Sequence, residues 1–350
     1  MSAPPQQRPS TAQPAPKTWS RRTNPRATVV AGLLIAALGL LTGVAVGVGD
    51  YPLSPVEVVK AIFAGVDGGF ASTVVLEWRM PRAVAAVAFG AALGVAGALF
   101  QTVTRNPLGS PDIIGFTTGS YTGVLIGVVL VGPSFLSTSI WAMIGGLATA
   151  AVVYVLAFRQ GVQGFRLIIV GIGITAMLSS FNTYLLLQAQ TEVAMAASIW
   201  AAGSLNLTEW SQVWPALILL GVLAPAVWFL ARPLRQLELG DDSAKAHGVP
   251  VEPARMAIMA IGVALTAAVT AAAGPIAFIA LAAPQVAARL MRTGGLPLFG
   301  SALVGGVLLL GADLIAQHVV PAAVPVGTVT VVIGGLYLIY VLAQQARRSA

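Results

Sequence analysis

GAALGVAGALFQTVTRNPLGSPDIIGFTTGS, residues 90–120, decides the fold. An uncharged apolar run precedes Arg105, another follows Asp112, and RNPLGSPD between them packs an arginine, an asparagine, two prolines and an aspartate into eight positions. Proline lacks an N–H and its ring clashes with the preceding helical turn, so Pro107 and Pro111 stop a helix here. A helix needs about 20 apolar residues to cross the roughly 30 Å hydrocarbon layer. The stretch therefore reads as two membrane crossings joined by a tight turn. Asn106, Pro107 and Pro111 form its structural corner, and Asp112 opens the second crossing, where a carboxylate favours the helix N-terminus.

The same pattern recurs along the chain and predicts ten spans, at about 27–49, 83–103, 112–131, 138–158, 165–190, 211–231, 254–273, 275–292, 297–317 and 326–346. The seventh and eighth meet at Gly274-Pro275, a sharp break. TEVAMAASIWAAGSLNLTEW, after the fifth span, reads as a short surface helix and loop. Of the 350 residues 57% are hydrophobic and 9% charged, against roughly 25% charged in soluble domains. Mean hydropathy is +0.86. The fold class is an all-α polytopic membrane protein. Residues 1–26, rich in Pro, Ser, Gln and Thr, bury too little apolar area to offset ordering entropy and read as a disordered tail. Residues 27–346 form the transmembrane domain.

The net charge of +7 raises nucleic acid as a partner, but the placement of the charges excludes it. With the N-terminus inside, sixteen Lys and Arg fall in inner segments and three, Lys60, Arg79 and Arg82, in outer ones. That bias puts both termini in the cytoplasm. Two loops exceed what a connector needs. The outer segment 50–82 carries seven charges, and the inner segment 232–256 contains LGDDSAKAHGV, a short amphipathic helix with acids in its first turn and Gly248 at its end.

Enzymatic and metal motifs are missing. The sequence has no G-x-x-x-x-G-K-[ST] loop for ATP, no G-x-S-x-G elbow and no H-E-x-x-H. It has no cysteine, and its two histidines, His247 and His318, lie far apart, so neither a catalytic nor a metal site is expected. Asp313, in GADLIAQ, is the one carboxylate well inside a span. It reads as a capping or inter-helix hydrogen-bonding residue ahead of a proton relay, which weakens an ion-coupled carrier. Gly90/Gly94/Gly97 and Gly119/Gly123/Gly127 mark close helix packing.

Taken together, RMPR (79–82), residues 90–120, LGDDSAKAHGV (239–249), GPIAFIALAAPQVAARL (274–290), GADLIAQ (311–317) and VPVGTVTVVIGGLYLIYVL (324–342) resemble the FecCD family of ABC-importer permeases. The resemblance runs from about residue 30 to 345. It implies the type II importer permease fold, like that of vitamin B12 permeases, with ten spans. It further implies a second permease copy or a paralogue beside the first, two ATPase subunits that bind ATP and Mg, and an extracytoplasmic binding protein. No cofactor is expected in this chain itself. The location implied is the bacterial cytoplasmic membrane. Arg79 and Arg82 match arginines that dock the binding protein. Asp241, Asp242, Ala244, Lys245, His247 and Gly248 match the segment that couples to the ATPase, and Ala244 with Gly248 would give it a small face for close approach. Gln163, Gly164 and Phe165 match the inner narrowing of the pathway. Gln285 stands where the family commonly has histidine and points to ferric siderophores. Gln317 replaces a docking arginine, which suits a heterodimer. The function implied is import of a ferric siderophore, with haem or vitamin B12 import, an ion-coupled carrier and a plain membrane scaffold as the alternatives.

Overall fold

The computed structural model describes residues 24–65, 68–112, 114–132, 134–158, 164–206, 208–320 and 324–349. The tail expected over 1–26 lies outside them up to residue 23. Among the described residues the chain is all helical. Helix α1 (Pro25–Gly47) starts from Asn24, whose side chain accepts from the Ala27 amide, with Pro25 at the first helical position. Helix α2 (Pro55–Ala64) starts from a capping box: Ser54 Oγ accepts from the Glu57 amide at 3.3 Å, and the Ser54 amide donates to Glu57 Oε2 at 2.8 Å.

Helix α3 (Phe70–Thr73), a π-helical stretch (Val74–Arg79) and α4 (Met80–Thr104) then run on as one 35-residue rod. This corrects the expectation of a loop through residue 82. Pro81 has no amide to give the ladder, and the wider π register just before it absorbs that loss, with Met80 N–H donating to the Val75 carbonyl. The carbonyl of Leu76 is taken up by the Trp210 indole N–H at 2.8 Å.

Helices α5 (Phe116–Val131), α6 (Phe135–Ala157), α7 (Gly164–Gln188), α8 (Thr191–Ala201), α9 (Trp210–Glu238), α10 (Asp241–Ala246), α11 (Val251–Ala273), α12 (Ile279–Met291), α13 (Leu298–His318) and α14 (Val326–Ser349) follow. Among the described residues, seven helices or rods are long and apolar enough to cross a membrane alone; α5, α12 and the apolar part of α14 are shorter. They correspond to the ten expected spans. Helix α5 starts at Phe116 rather than at Asp112, because the Gly115 amide closes a turn on the Asp112 carbonyl and Gly115 sits at φ 78°.

The rod ending in α4 is the axis of the bundle: 72% of its apolar window is buried, against 6% for α1, a perimeter helix. Helices α9, α11, α12 and α13 surround α4, while α5, α6 and α7 form a second group. Both glycine series lie where helices touch. A Cβ on Gly90 or Gly94 would stand 2.3 and 2.1 Å from the carbonyl oxygens of Gly305 and Ser301 on α13. The second series meets α6 at Trp141, Gly145 and Thr149. In lipid, close backbone approach of this kind is a main source of helix association.

The Gly274-Pro275 break is present. Helix α11 stops at Ala273, Gly274 takes φ 71°, and α12 begins only at Ile279 after Phe278 at φ 67°. Helix α12 has 13 residues, about 20 Å at 1.5 Å per residue, and cannot cross alone. Non-helical backbone is tolerated at this depth where protein buries it. Gly274, Pro275 and Ile276 are buried, and the Ala273 carbonyl accepts from the Ser204 amide at 2.8 Å.

Candidate functional site

At one end of the bundle, the residues marked in LGDDSAKAHGV fold as read. Helix α10 closes with Gly248 at φ 79°, its amide donating to the Lys245 carbonyl at 2.9 Å and that of Val249 to Ala244 at 3.0 Å. Those two bonds are the left-handed glycine ending of a helix, which satisfies carbonyls the helix itself leaves open. Asp242, Lys245, His247 and Gly248 are exposed, and His247 Nδ1 lies 2.7 Å from the Ser243 carbonyl. Ala244 is fully buried in this chain's own core. The two residues expected to share one small face are therefore split: Ala244 turns inward, while Gly248 lies exposed with the polar Asp242, Lys245 and His247.

Asp241 is engaged inside the chain as well. Its carboxylate accepts from Arg255 Nη2 at 2.9 and 3.1 Å and from Arg105 Nη2. Partial burial pushes the Asp241 carboxyl up. The Arg255 hydrogen bonds and charge outweigh this, with Arg105 behind them, and hold it below the usual carboxylate range. Arg255, 7% exposed, also donates to Glu252 at 3.0 Å. Beside this bridge, Glu238 at the end of α9 accepts from the Leu296 amide at 3.1 Å and from Thr102 Oγ1 at 3.4 Å. Sequence reasoning missed Glu238 and Arg255. Their signal was only that charges are scarce in this chain and that both sit at helix ends.

The corner at 105–115 abuts the same bridge. Arg105 caps α4 in the left-handed conformation at φ 48°. Asn106 Oδ1 accepts from the Leu108 amide at 2.9 Å, an Asx turn. Gly109 tucks under the end of α4, where a Cβ would stand 2.2 Å from Thr104 Oγ1. Pro107 and Pro111 lie in the turns flanking Gly109. Gly164, first residue of α7, also rests on α4: a Cβ there would be 2.4 Å from the Thr104 carbonyl oxygen. Phe165 is 76% exposed, and Gln163 lies outside the described residues.

At the opposite end, a cavity of about 500 Å³ is lined by Asp50, Arg79, Arg82, Asn206, Asp313 and Gln317 among others. Both arginines use donors inside the chain. Arg79 Nη1 donates to the carbonyls of Val46 and Gly47 at 2.9 and 3.2 Å, and its Nη2 to that of Tyr51 at 2.7 Å. It thereby ties the end of α1 and the loop after it to the π-helical stretch. Arg82 grips Asp313 with Nε at 2.9 Å and Nη2 at 2.8 Å, and Nη2 also reaches Asn206 Oδ1 at 2.8 Å. Gln317 Nε2 donates to Asp313 Oδ2 at 2.7 Å. Asp313 is thus an inter-helix partner, and Gln317 completes its shell.

Deeper in the bundle, Gln285 Nε2 donates to Gln101 Oε1 at 2.6 Å, and Gln101 Nε2 to the Leu281 carbonyl at 3.0 Å. This amide pair joins α4 to α12.

Gly248 carries a direct test. Its Cβ position is open, so the cost of Gly248→Ala is backbone strain, about 1–2 kcal/mol for an L-residue in the left-handed region. Amide exchange across 244–249 should accelerate about 5- to 30-fold, read by hydrogen–deuterium exchange. Unchanged exchange would show that the left-handed turn is not required.

Charged groups at both ends join helices across long sequence separations, in a bundle whose helices are long and apolar enough to cross a membrane. The FecCD transport family matches residues 33–344, and the chain belongs to that family. As a transport subunit it is not an enzyme. It is 50% identical to the ferric enterobactin transport system permease protein FepG of Escherichia coli (strain K12), over 79% of this chain and 84% of that protein. It is 34% identical to the iron(3+)-hydroxamate import system permease protein FhuG of Bacillus subtilis (strain 168), over 85% of this chain and 92% of that one. The fold matches a metal-chelate type ABC transporter in an inward-facing conformation, with a TM-score of 0.80 and 24% identity over 91% of this chain and 99% of the other.

Proposed function

We propose that this chain is the permease subunit of an ATP-driven importer that carries a ferric siderophore of the ferric-enterobactin kind into the bacterial cytoplasm. The 50% identity to the ferric enterobactin permease carries this reading. The locked state of Asp313 supports it against an ion-coupled carrier, because a carboxylate gripped by Arg82 is poorly placed to relay protons. ATP and Mg are then bound by separate ATPase subunits, and an extracytoplasmic binding protein delivers the chelate. A second permease copy or a paralogue completes the pathway. The end holding Arg26, Arg105 and Arg255 faces the cytoplasm, with both termini, as the excess of positive charge in the inner segments favours. The exposed side of α10 is the ATPase contact, and the cavity with Arg79 and Arg82 faces the binding protein. Arginine suits carboxylates of a docking protein, and such pairs chiefly set register and on-rate.

The test is uptake of radiolabelled iron in a strain that lacks its own ferric enterobactin permease. Expressing this chain with its ATPase and binding protein should restore uptake from ferric enterobactin and leave haem and vitamin B12 uptake unchanged. Restoration by haem or vitamin B12 alone would reassign the substrate. Uptake that persists without the ATPase would point to a secondary carrier.

A further inference from the structure

Helix α10 is attached to the body by little covalent stiffness. It has six residues and lies between Gly240 at φ 109° and Gly248 at φ 79°. Its only fully buried side chain is the single methyl of Ala244. A short helix held in this way would pivot under a push rather than transmit it. What opposes pivoting is the Asp241 carboxylate, which lies between the guanidiniums of Arg105, the residue that closes the central helix α4, and Arg255, on the first turn of α11. The end of α4 in turn supports the first residue of α7, through the close fit of Gly164 on Thr104.

We propose that Asp241 is a positioning residue of the transport cycle: its bridge to Arg105 and Arg255 makes α10 move as one body with the inner ends of α4 and α11, and through α4 with the start of α7. The inference rests on the reading of α10 as the ATPase contact. One carboxylate between two guanidiniums cannot slide without separating opposite charges, so it resists shear in a way that a methyl contact does not. Partly exposed pairs such as Arg105–Asp241 add little to global stability. Breaking that side, as Arg105→Gln does, therefore costs transmission with the fold retained, and when Asp241 loses its charge the buried Arg255 still holds Glu252.

The experiment uses the whole transporter in liposomes, permease with ATPase and binding protein, and reads ferric enterobactin imported per ATP hydrolysed. Asp241→Asn keeps the shape and removes the charge. The import ratio should fall about five-fold or more, whatever the hydrolysis rate, and the complex should still elute intact. Asp241→Glu should retain most of the ratio, and Arg105→Gln, on the more exposed side of the bridge, should lower it as Asp241→Asn does. A purely structural role would lower yield or melting temperature and leave the ratio unchanged, and that outcome overturns the proposal. If Asp241→Asn fails to assemble, Arg105→Gln decides alone. If the wild-type transporter imports no ferric enterobactin, the functional reading falls. The bridge is then judged by whether Asp241→Asn weakens the permease's stimulation of ATP hydrolysis.

Discussion

Arg82→Leu should destabilise the protein by about 3–5 kcal/mol, the usual cost of removing one partner from a buried ion pair. Asp313 is 1% exposed and Arg82 14%, so the orphaned carboxylate could not recover its hydration by turning to water. Gln317 would remain as a neutral donor to Asp313, and Asn206 would lose its cationic partner. The double variant Arg82→Leu/Asp313→Leu should lie much closer to wild type than either single variant, because removing both charges also removes their desolvation cost. Thermal unfolding in detergent of the two single variants and the double checks this. Additive losses would show that the two residues act independently. Uptake by the double variant separates two roles. Retained uptake would mean that Arg82 serves the fold only; lost uptake at near wild-type stability would mean that the outer mouth needs its charge.

What could be read from the chain alone was whatever local chemistry decides. The ten crossings follow from the length of the apolar runs, and the stop at Gly274-Pro275 from a glycine that accepts φ 71° beside a proline without an N–H. The end of α10 follows from one glycine. The partners of the charges could not be read, because they lie far apart in sequence. Arg82 and Asp313 are 231 residues apart, and Arg105 and Asp241 are 136. In a mostly apolar chain, nothing local states which basic end meets which acidic one. The charges of RNPLGSPD are explained by topology alone until the fold places Arg105 against the helix that the family resemblance assigns to the ATPase. The inward turn of Ala244 was hidden for a related reason: a six-residue helix with small residues on two sides has no period long enough to say which side is covered. The π-helical entry to α4 was likewise masked by Pro81, which reads as a helix start wherever it occurs.

A second large loss is expected at Gly97. A Cβ there would stand 1.7 Å from the carbonyl oxygen of Ala280 and 2.5 Å from its carbonyl carbon. Both are backbone atoms of α12, so no rotamer change can make room, and α4 and α12 must part. Overpacking a tight site typically costs about 1–3 kcal/mol and occasionally more. Gly97→Ala should reach the top of that range, because the rod it belongs to is the axis on which α11, α12 and α13 pack. The parting would also strain the Gln101–Gln285 bond one helical turn further along. Gly39 is the internal control. It is a glycine in an equally apolar helix, α1, but nothing stands within 4 Å of its Cβ position. There, alanine only gains helix propensity, so Gly39→Ala should raise stability by about 0.5–1 kcal/mol. Melting temperature in detergent, with uptake read in parallel, distinguishes the two variants. If both glycines tolerate alanine equally, the close approach of α4 and α12 is not what holds the centre of this bundle together.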